Sequence, residues 1–158
     1  MVYPISRHAL WALFKAWVKE VKGIENIPLQ GAFIVCPNHT SYLDDVLVPL
    51  IISPVTNKKV HNYVNRNYFK IPLLGRLLLN WAGSIPVEVG SAPDKREVNE
   101  KAYIIAQHYL SKGGTVGIYP EGHRSKDNEL QKARFGAARL ALKARAPVVP
   151  IGIQGAYE

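Results

Sequence analysis

At 158 residues the chain has the length of one domain, large enough to bury most of its surface around a single core without disulfides or a structural metal. Its one cysteine, Cys36, excludes an intramolecular disulfide, and the lack of clustered cysteines argues against a closed metal site. The 20 Lys and Arg against 12 Asp and Glu leave a net charge of +8, which favours anionic partners; because no basic block occurs, no nucleic-acid-binding arm is expected.

The chain opens on an amphipathic pattern. Leu10, Leu13, Phe14, Trp17 and Val21 recur at helical spacing, so residues 6–22 are expected to form a helix. Its basic remainder (Arg7, Lys15, Lys19 and Lys22), together with Trp and Phe, suits either packing on the domain or lying on an anionic membrane surface. Ile24 to Gly31 reads as a connector. Strands and helices then alternate: strand Ala32–Cys36, helix 42–52 ended by Ser53-Pro54, strand Val60–Val64, an apolar helical stretch Tyr68–Trp81 and strand Ser84–Val87. Next come helix Asp94–Ser111 with Val98, Ala102, Ile105 and Tyr109 on one face, strand Thr115–Tyr119, an Ala-rich helix 131–144 with Phe135, Ala138 and Leu142 inward, and strand Pro147–Ile153. Gly113-Gly114 closes the longer helix. This order predicts an α/β single domain over residues 23–158, a mostly parallel central sheet flanked by helices, preceded by the N-terminal amphipathic helix within residues 1–22. No apolar run reaches the roughly 20 residues that span a bilayer. No apolar core followed by a small-residue cleavage site is seen, so no signal peptide is expected and any membrane contact is peripheral.

Two short strings carry chemistry. In Asn38-His39-Thr40-Ser41-Tyr42-Leu43-Asp44, His39 follows a strand, where α/β sheets present functional loops. An imidazole accepts a proton near neutral pH, and a carboxylate at Asp44 can orient it and stabilise the imidazolium. The same residues also fit a helix start in which Asp44 serves the chain end, and the two roles are compatible. In Tyr119-Pro120-Glu121-Gly122-His123-Arg124-Ser125, Gly122 permits a turn and Arg124 can grip an anion in a bidentate fork, with Lys126, Lys132 and Arg134 adding charge nearby. An Arg124 paired to Glu121 or Asp127 on a solvated loop is the plainer alternative. Cys36 ends an apolar run and reads as a small core residue. His39, Asp44, Glu121 and His123 do not have the spacing of a zinc site, so no metal is expected. No phosphate-binding glycine loop or nucleophile elbow occurs.

The first string resembles the His-x4-Asp motif of the glycerolipid acyltransferases, the lysophosphatidic acid acyltransferase family. The second resembles their Phe-Pro-Glu-Gly-Thr-Arg-Ser motif. Val148-Val149-Pro150-Ile151-Gly152 is similar to their fourth motif, Gly23-Ile24-Glu25-Asn26-Ile27-Pro28 to their lead-in, and Phe69-Lys70-Ile71-Pro72-Leu73-Leu74-Gly75 to a further recurrent stretch. The resemblance implies transfer of a fatty acyl chain from an acyl thioester, acyl-CoA or acyl-carrier protein as co-substrate and no resident cofactor, to the hydroxyl of a lysophospholipid or other lipid alcohol in phospholipid biosynthesis. It implies His39 as general base, Asp44 as its orienting partner, Glu121, Gly122, Arg124 and Ser125 at the acceptor, and Pro150 in the strand lining the acyl region. It also implies a peripheral position on the cytoplasmic face of a membrane. Two departures stand out: Gly83-Ser84-Ile85-Pro86-Val87-Glu88-Val89 carries Val89 where the family has a phosphate-binding Arg, leaving Lys95 or Arg96 as replacements, and the chain ends soon after the fourth motif, as a compact or C-terminally truncated member would. A catalytically idle lipid-binding module and a thioesterase remain as alternatives.

Overall fold

The apolar run that starts at Phe33 is buried on both sides, and its alternation decides which face of the sheet meets which helix. In the computed structural model, which describes residues 18–156, β1 (Phe33–Pro37) sends Ile34 to one face and Phe33 and Val35 to the other. Around β1 lie β2 (Val60–Asn65), β3 (Ile85–Val87), β4 (Thr115–Gly117) and β5 (Val148–Ile151), in the order β3-β2-β4-β1-β5 with every pair parallel. Both edge strands contain a proline, Pro86 in β3 and Pro150 in β5, the positions where a missing backbone donor is tolerated. The expected α/β domain with a parallel sheet flanked by helices is therefore present.

Three helices cover the sheet: α1 (Asp44–Thr56), α2 (Lys95–Ser111) and α3 (Gly136–Ala144). Val48 and Ile52 of α1 pack on Phe33, Val35 and Val60. On the other face Ala102, Ala106 and Leu110 of α2 and Leu140 of α3 pack on Ile34, Ile85 and Val116. Connectors between parallel strands must return the chain to the opposite end of the sheet, so loops after β1 and β4 gather at its carboxyl edge.

Several elements differ from expectation. Helix α1 runs past Ser53-Pro54 to Thr56, because burial of Val48, Leu50 and Ile52 outweighs the backbone donors removed by Pro49 and Pro54. It ends at Asn57 in a left-handed conformation (φ 55°), whose N–H reaches the Ser53 carbonyl at 2.9 Å. The Tyr68–Trp81 stretch divides into a 3-10 turn (Arg66–Lys70), a π-helix (Pro72–Leu79) and a short α turn (Asn80–Ala82). The inner face of α2 is Ala102, Ala106 and Leu110, while Ile105 lies at the surface and Val98 and Tyr109 are half-buried. The inward face expected for the Ala-rich helix is overturned: Phe135 is 88% exposed, Leu142 82% exposed, and Ala138 is exposed as well. Helix α3 starts only at Gly136 and packs through Ala137, Leu140, Ala141 and Ala144. Small side chains on both helices let the α2 and α3 backbones approach, and the Tyr103 hydroxyl donates to the Arg139 carbonyl across that contact. Residues 18–22 carry no helix, and the remainder of the expected N-terminal helix lies outside the described residues. Among the described residues no helix is long and apolar enough to cross a membrane.

This packing makes Leu140 and Leu142 a direct comparison. Leu140→Ala is expected to cost about 2–5 kcal/mol in denaturant unfolding, and Leu142→Ala less than about 0.5 kcal/mol. Similar losses for both would contradict the assigned face of α3.

Candidate active site

His39 leaves the sheet two residues beyond the end of β1, and Asp44 is the first residue of α1. The loop between them is closed by one atom. Asp44 Oδ2 accepts the backbone N–H groups of Thr40 and Ser41, each at 2.8 Å, and lies 3.1 Å from His39 Nδ1. Asp44 has no exposed surface. An ionised carboxylate only accepts, so the ring proton is assigned to Nδ1 and the lone pair to Nε2. The helix-start role and the ring-orienting role of Asp44 are thus filled by the same oxygen.

The second string grips the first from the end of β4. The His39 N–H donates to Glu121 Oε1 at 3.0 Å, and the Ser125 N–H donates to the His39 carbonyl at 2.7 Å. The Tyr119 ring stacks on the imidazole, with centroids 3.9 Å apart and planes 19° from parallel. Gly122 turns the chain with φ 75°, a conformation that favours glycine, and its N–H closes onto the Tyr119 carbonyl. Asn38 ties in the segment after β5: its side chain donates to the Ile153 carbonyl at 3.0 Å and accepts the Ile153 N–H at 2.6 Å.

These residues border a cleft of about 440 Å³ at the carboxyl edge of the sheet. His39, Gly122 and Arg124 line it, with Glu121 buried behind. The Arg124 guanidinium lies over the Tyr42 ring, 3.3 Å from its centroid, rather than on Glu121 or Asp127. The Arg124 guanidinium donates to the Tyr42 oxygen and lowers that phenol, and Tyr68 donates to the same oxygen, which raises its own phenol. Ser125 is buried and its hydroxyl donates to Asp127 at 2.8 Å, so it braces the loop behind the cleft. Pro150 stands apart: it is exposed on β5, opposite Cys36, and does not border the cleft. Burial pushes the Cys36 thiol up to about 11, so it is a poor nucleophile. His123 is exposed with Nδ1 on the Arg124 carbonyl, and among the described residues no three His, Cys, Asp or Glu converge on a metal position.

Farther along the cleft Val89 is 48% exposed and brings no charge. Lys95, not Arg96, borders this end, with its ammonium 2.7 Å from the Gly90 carbonyl and 3.3 Å from that of Val89. Glu88 is buried and forms an ion pair with Arg66 Nε at 2.6 Å, while the rest of that guanidinium is held bidentately by Asp94 at 2.5 and 2.8 Å.

Three cleft residues had no role in the sequence reading. Tyr119 opens the second string, but nothing in a sequence says that its ring lies under His39. Tyr42 sits inside the first string and meets Arg124 only through the fold. Asp45, next to Asp44, turns its carboxyl towards the cleft rather than the loop. Burial raises Asp45 above the usual carboxylate range, with Asp44 adding and the charges of His39 and Arg124 opposing. Burial also pushes the Tyr119 phenol far up, helped by Asp45 and Asp44.

Residues 19–154 match the family model described as Acyltransferase. A chloroplastic 1-acyl-sn-glycerol-3-phosphate acyltransferase of Brassica napus is 29% identical over 92% of this chain and 41% of its own length. The Bacillus subtilis 1-acyl-sn-glycerol-3-phosphate acyltransferase is 26% identical over 83% of this chain and 60% of its own. The crystal structure of the 1-acyl-sn-glycerophosphate (LPA) acyltransferase PlsC from Thermotoga maritima superposes with a TM-score of 0.65 at 29% identity, covering 96% of this chain and 59% of that one. The chain therefore spans roughly two-fifths to three-fifths of the length of these relatives.

The raised Asp45 gives a pH test. The folded state holds that proton more tightly than the unfolded state, so the associated stability is complete below the ordinary carboxylate range and is lost as pH rises through the folded value. Asp45→Asn cannot ionise. Its melting temperature is expected to gain on the wild type as pH rises from about 4 through the folded value of Asp45, and to level off above it. A gap that stays constant over that range would show that Asp45 is not held up by burial.

Proposed function

We propose that this chain, which belongs to the acyltransferase family, moves a fatty acyl group from an acyl thioester to the hydroxyl of a lysophospholipid of the 1-acylglycerol 3-phosphate type. The observation that carries the reading is the buried Asp44 carboxylate on His39 Nδ1, which leaves Nε2 as a base at the wall of the cleft. The acceptor hydroxyl gives its proton to Nε2 as its oxygen attacks the thioester carbonyl. Asp44 stabilises the imidazolium that results. Collapse of the tetrahedral intermediate breaks the carbon–sulfur bond, and the imidazolium proton passes to the departing sulfur. The products are the acylated lipid and a free thiol, and His39 is neutral again.

No acyl-enzyme is needed. Cys36, the one thiol, does not border the cleft, and burial keeps its proton in place. Arg124 takes the acceptor phosphate at the Gly122 turn, and both acyl-CoA and acyl-carrier protein fit the role of donor. Contact with a membrane is supported by Ile71, Leu73, Leu77, Leu78 and Trp81, five large apolar side chains left between 45% and 70% exposed in one short helical segment, on a chain of net charge +8. The acyl chains then need not leave the lipid surface during transfer.

His39→Ala is expected to lower kcat for thiol release by about 10²–10⁴-fold while its melting curve remains cooperative. Turnover at the wild-type rate would remove His39 as the base. Arg124→Ala is expected to raise the KM for the phosphate-bearing acceptor about tenfold or more and to leave that for the donor nearly unchanged; equal changes in both would remove Arg124 from the acceptor.

A further inference from the structure

The cations around the cleft are not equally available. Arg139 lies 3.2 Å from Glu100 and over the Tyr103 ring, and the Lys95 ammonium is occupied by two carbonyls. Arg66, past the end of β2, is neutralised by Glu88 and Asp94. Arg124 and Arg134 both border the cleft, and among the described residues neither has a carboxylate within ion-pair distance.

Gly122 brings these two together. A Cβ on Gly122 would stand 3.2 Å from Cδ and Nε of Arg134, so the Arg134 side chain lies against the bare face of the turn that carries Arg124. The Arg134 N–H donates to the Pro120 carbonyl at 2.8 Å, which fixes its backbone to the same turn. Two permanent positive charges on one wall, neither of them in an ion pair among the described residues, leave this part of the cleft complementary to an anion. A carboxylate ligand would balance one of them; a phosphomonoester carries close to two negative charges at neutral pH and three oxygens for two planar forks.

We infer that Arg134 acts with Arg124 to hold a phosphomonoester dianion in this cleft, and that Arg134 sets the preference for a phosphorylated acceptor now that Val89 supplies no charge opposite. The identity of the acceptor rests on the acyl-transfer reading above; the anion site does not. Two molecules in that reaction carry such a group, the glycerol phosphate acceptor and the 3′-phosphate of coenzyme A, and the acceptor is the one beside His39.

The test uses the full chain with Arg134→Gln, Arg134→Lys and, as a control on an exposed part of α3, Lys143→Gln. Melting curves titrated with sn-glycerol 3-phosphate need no turnover. The half-saturating concentration is expected to rise tenfold or more in Arg134→Gln, less in Arg134→Lys, and not at all in Lys143→Gln. In kinetics, Arg134→Gln is expected to raise the KM for 1-acylglycerol 3-phosphate tenfold or more, without change for phosphate-free 1-acylglycerol or for the donor. No response of the wild type to glycerol 3-phosphate, or an unaltered response in Arg134→Gln, overturns the anion site. A KM change confined to acyl-CoA and absent with its dephospho form overturns the acceptor assignment and moves the phosphomonoester to the donor. Arg134-dependent binding in a wild type that acylates no acceptor supports the anion site and overturns the acyl-transfer reading alone.

Discussion

The structure around the cleft depends on a single carboxylate oxygen. Asp44 Oδ2 collects two backbone N–H groups and faces the imidazole Nδ1, all within 3.1 Å and away from solvent. In low-dielectric surroundings such contacts are strong, and losing the acceptor would leave buried donors unpaired. The oxygen therefore does two things at once. It shapes the turn from β1 into α1, and it sets which nitrogen of His39 is free. A change at Asp44 cannot affect one without the other.

The backbone of His39 is equally constrained. Its N–H and its carbonyl are both taken by the second string, the first through a carboxylate 82 residues away. With Tyr119 against one face of the ring, the base is held at its backbone, its Nδ1 and its plane. Little ordering remains to be done when a substrate arrives, which is what a positioned base requires. Asn38 extends the same arrangement to the segment beyond β5, so three strand ends meet around one residue.

Much of this was legible in the chain itself. The alternation of short apolar runs with helical patterns gave the parallel sheet, since a strand buried on both faces has to be apolar throughout. The two strings gave His39, Asp44, Glu121, Gly122 and Arg124, because base, carboxylate, glycine and fixed charge are distinctive in local order. What escaped was decided by packing. In the expected Ala-rich helix, Phe135 and Leu142 are large and apolar, yet the packing of α2 on α3 turns Ala137, Leu140 and Ala141 inward instead. Pro49 and Pro54 argue against a helix that burial nevertheless sustains. The placement of Tyr119 under His39, and of Arg134 against Gly122, joins residues whose relation exists only in three dimensions.

The outer strands carry one more consequence. Pro86 and Pro150 each remove a donor from an otherwise open border of the sheet. A foreign strand laid along either border would find its ladder interrupted, so growth by strand addition, whether into a fibre or onto another polypeptide, is disfavoured from both directions.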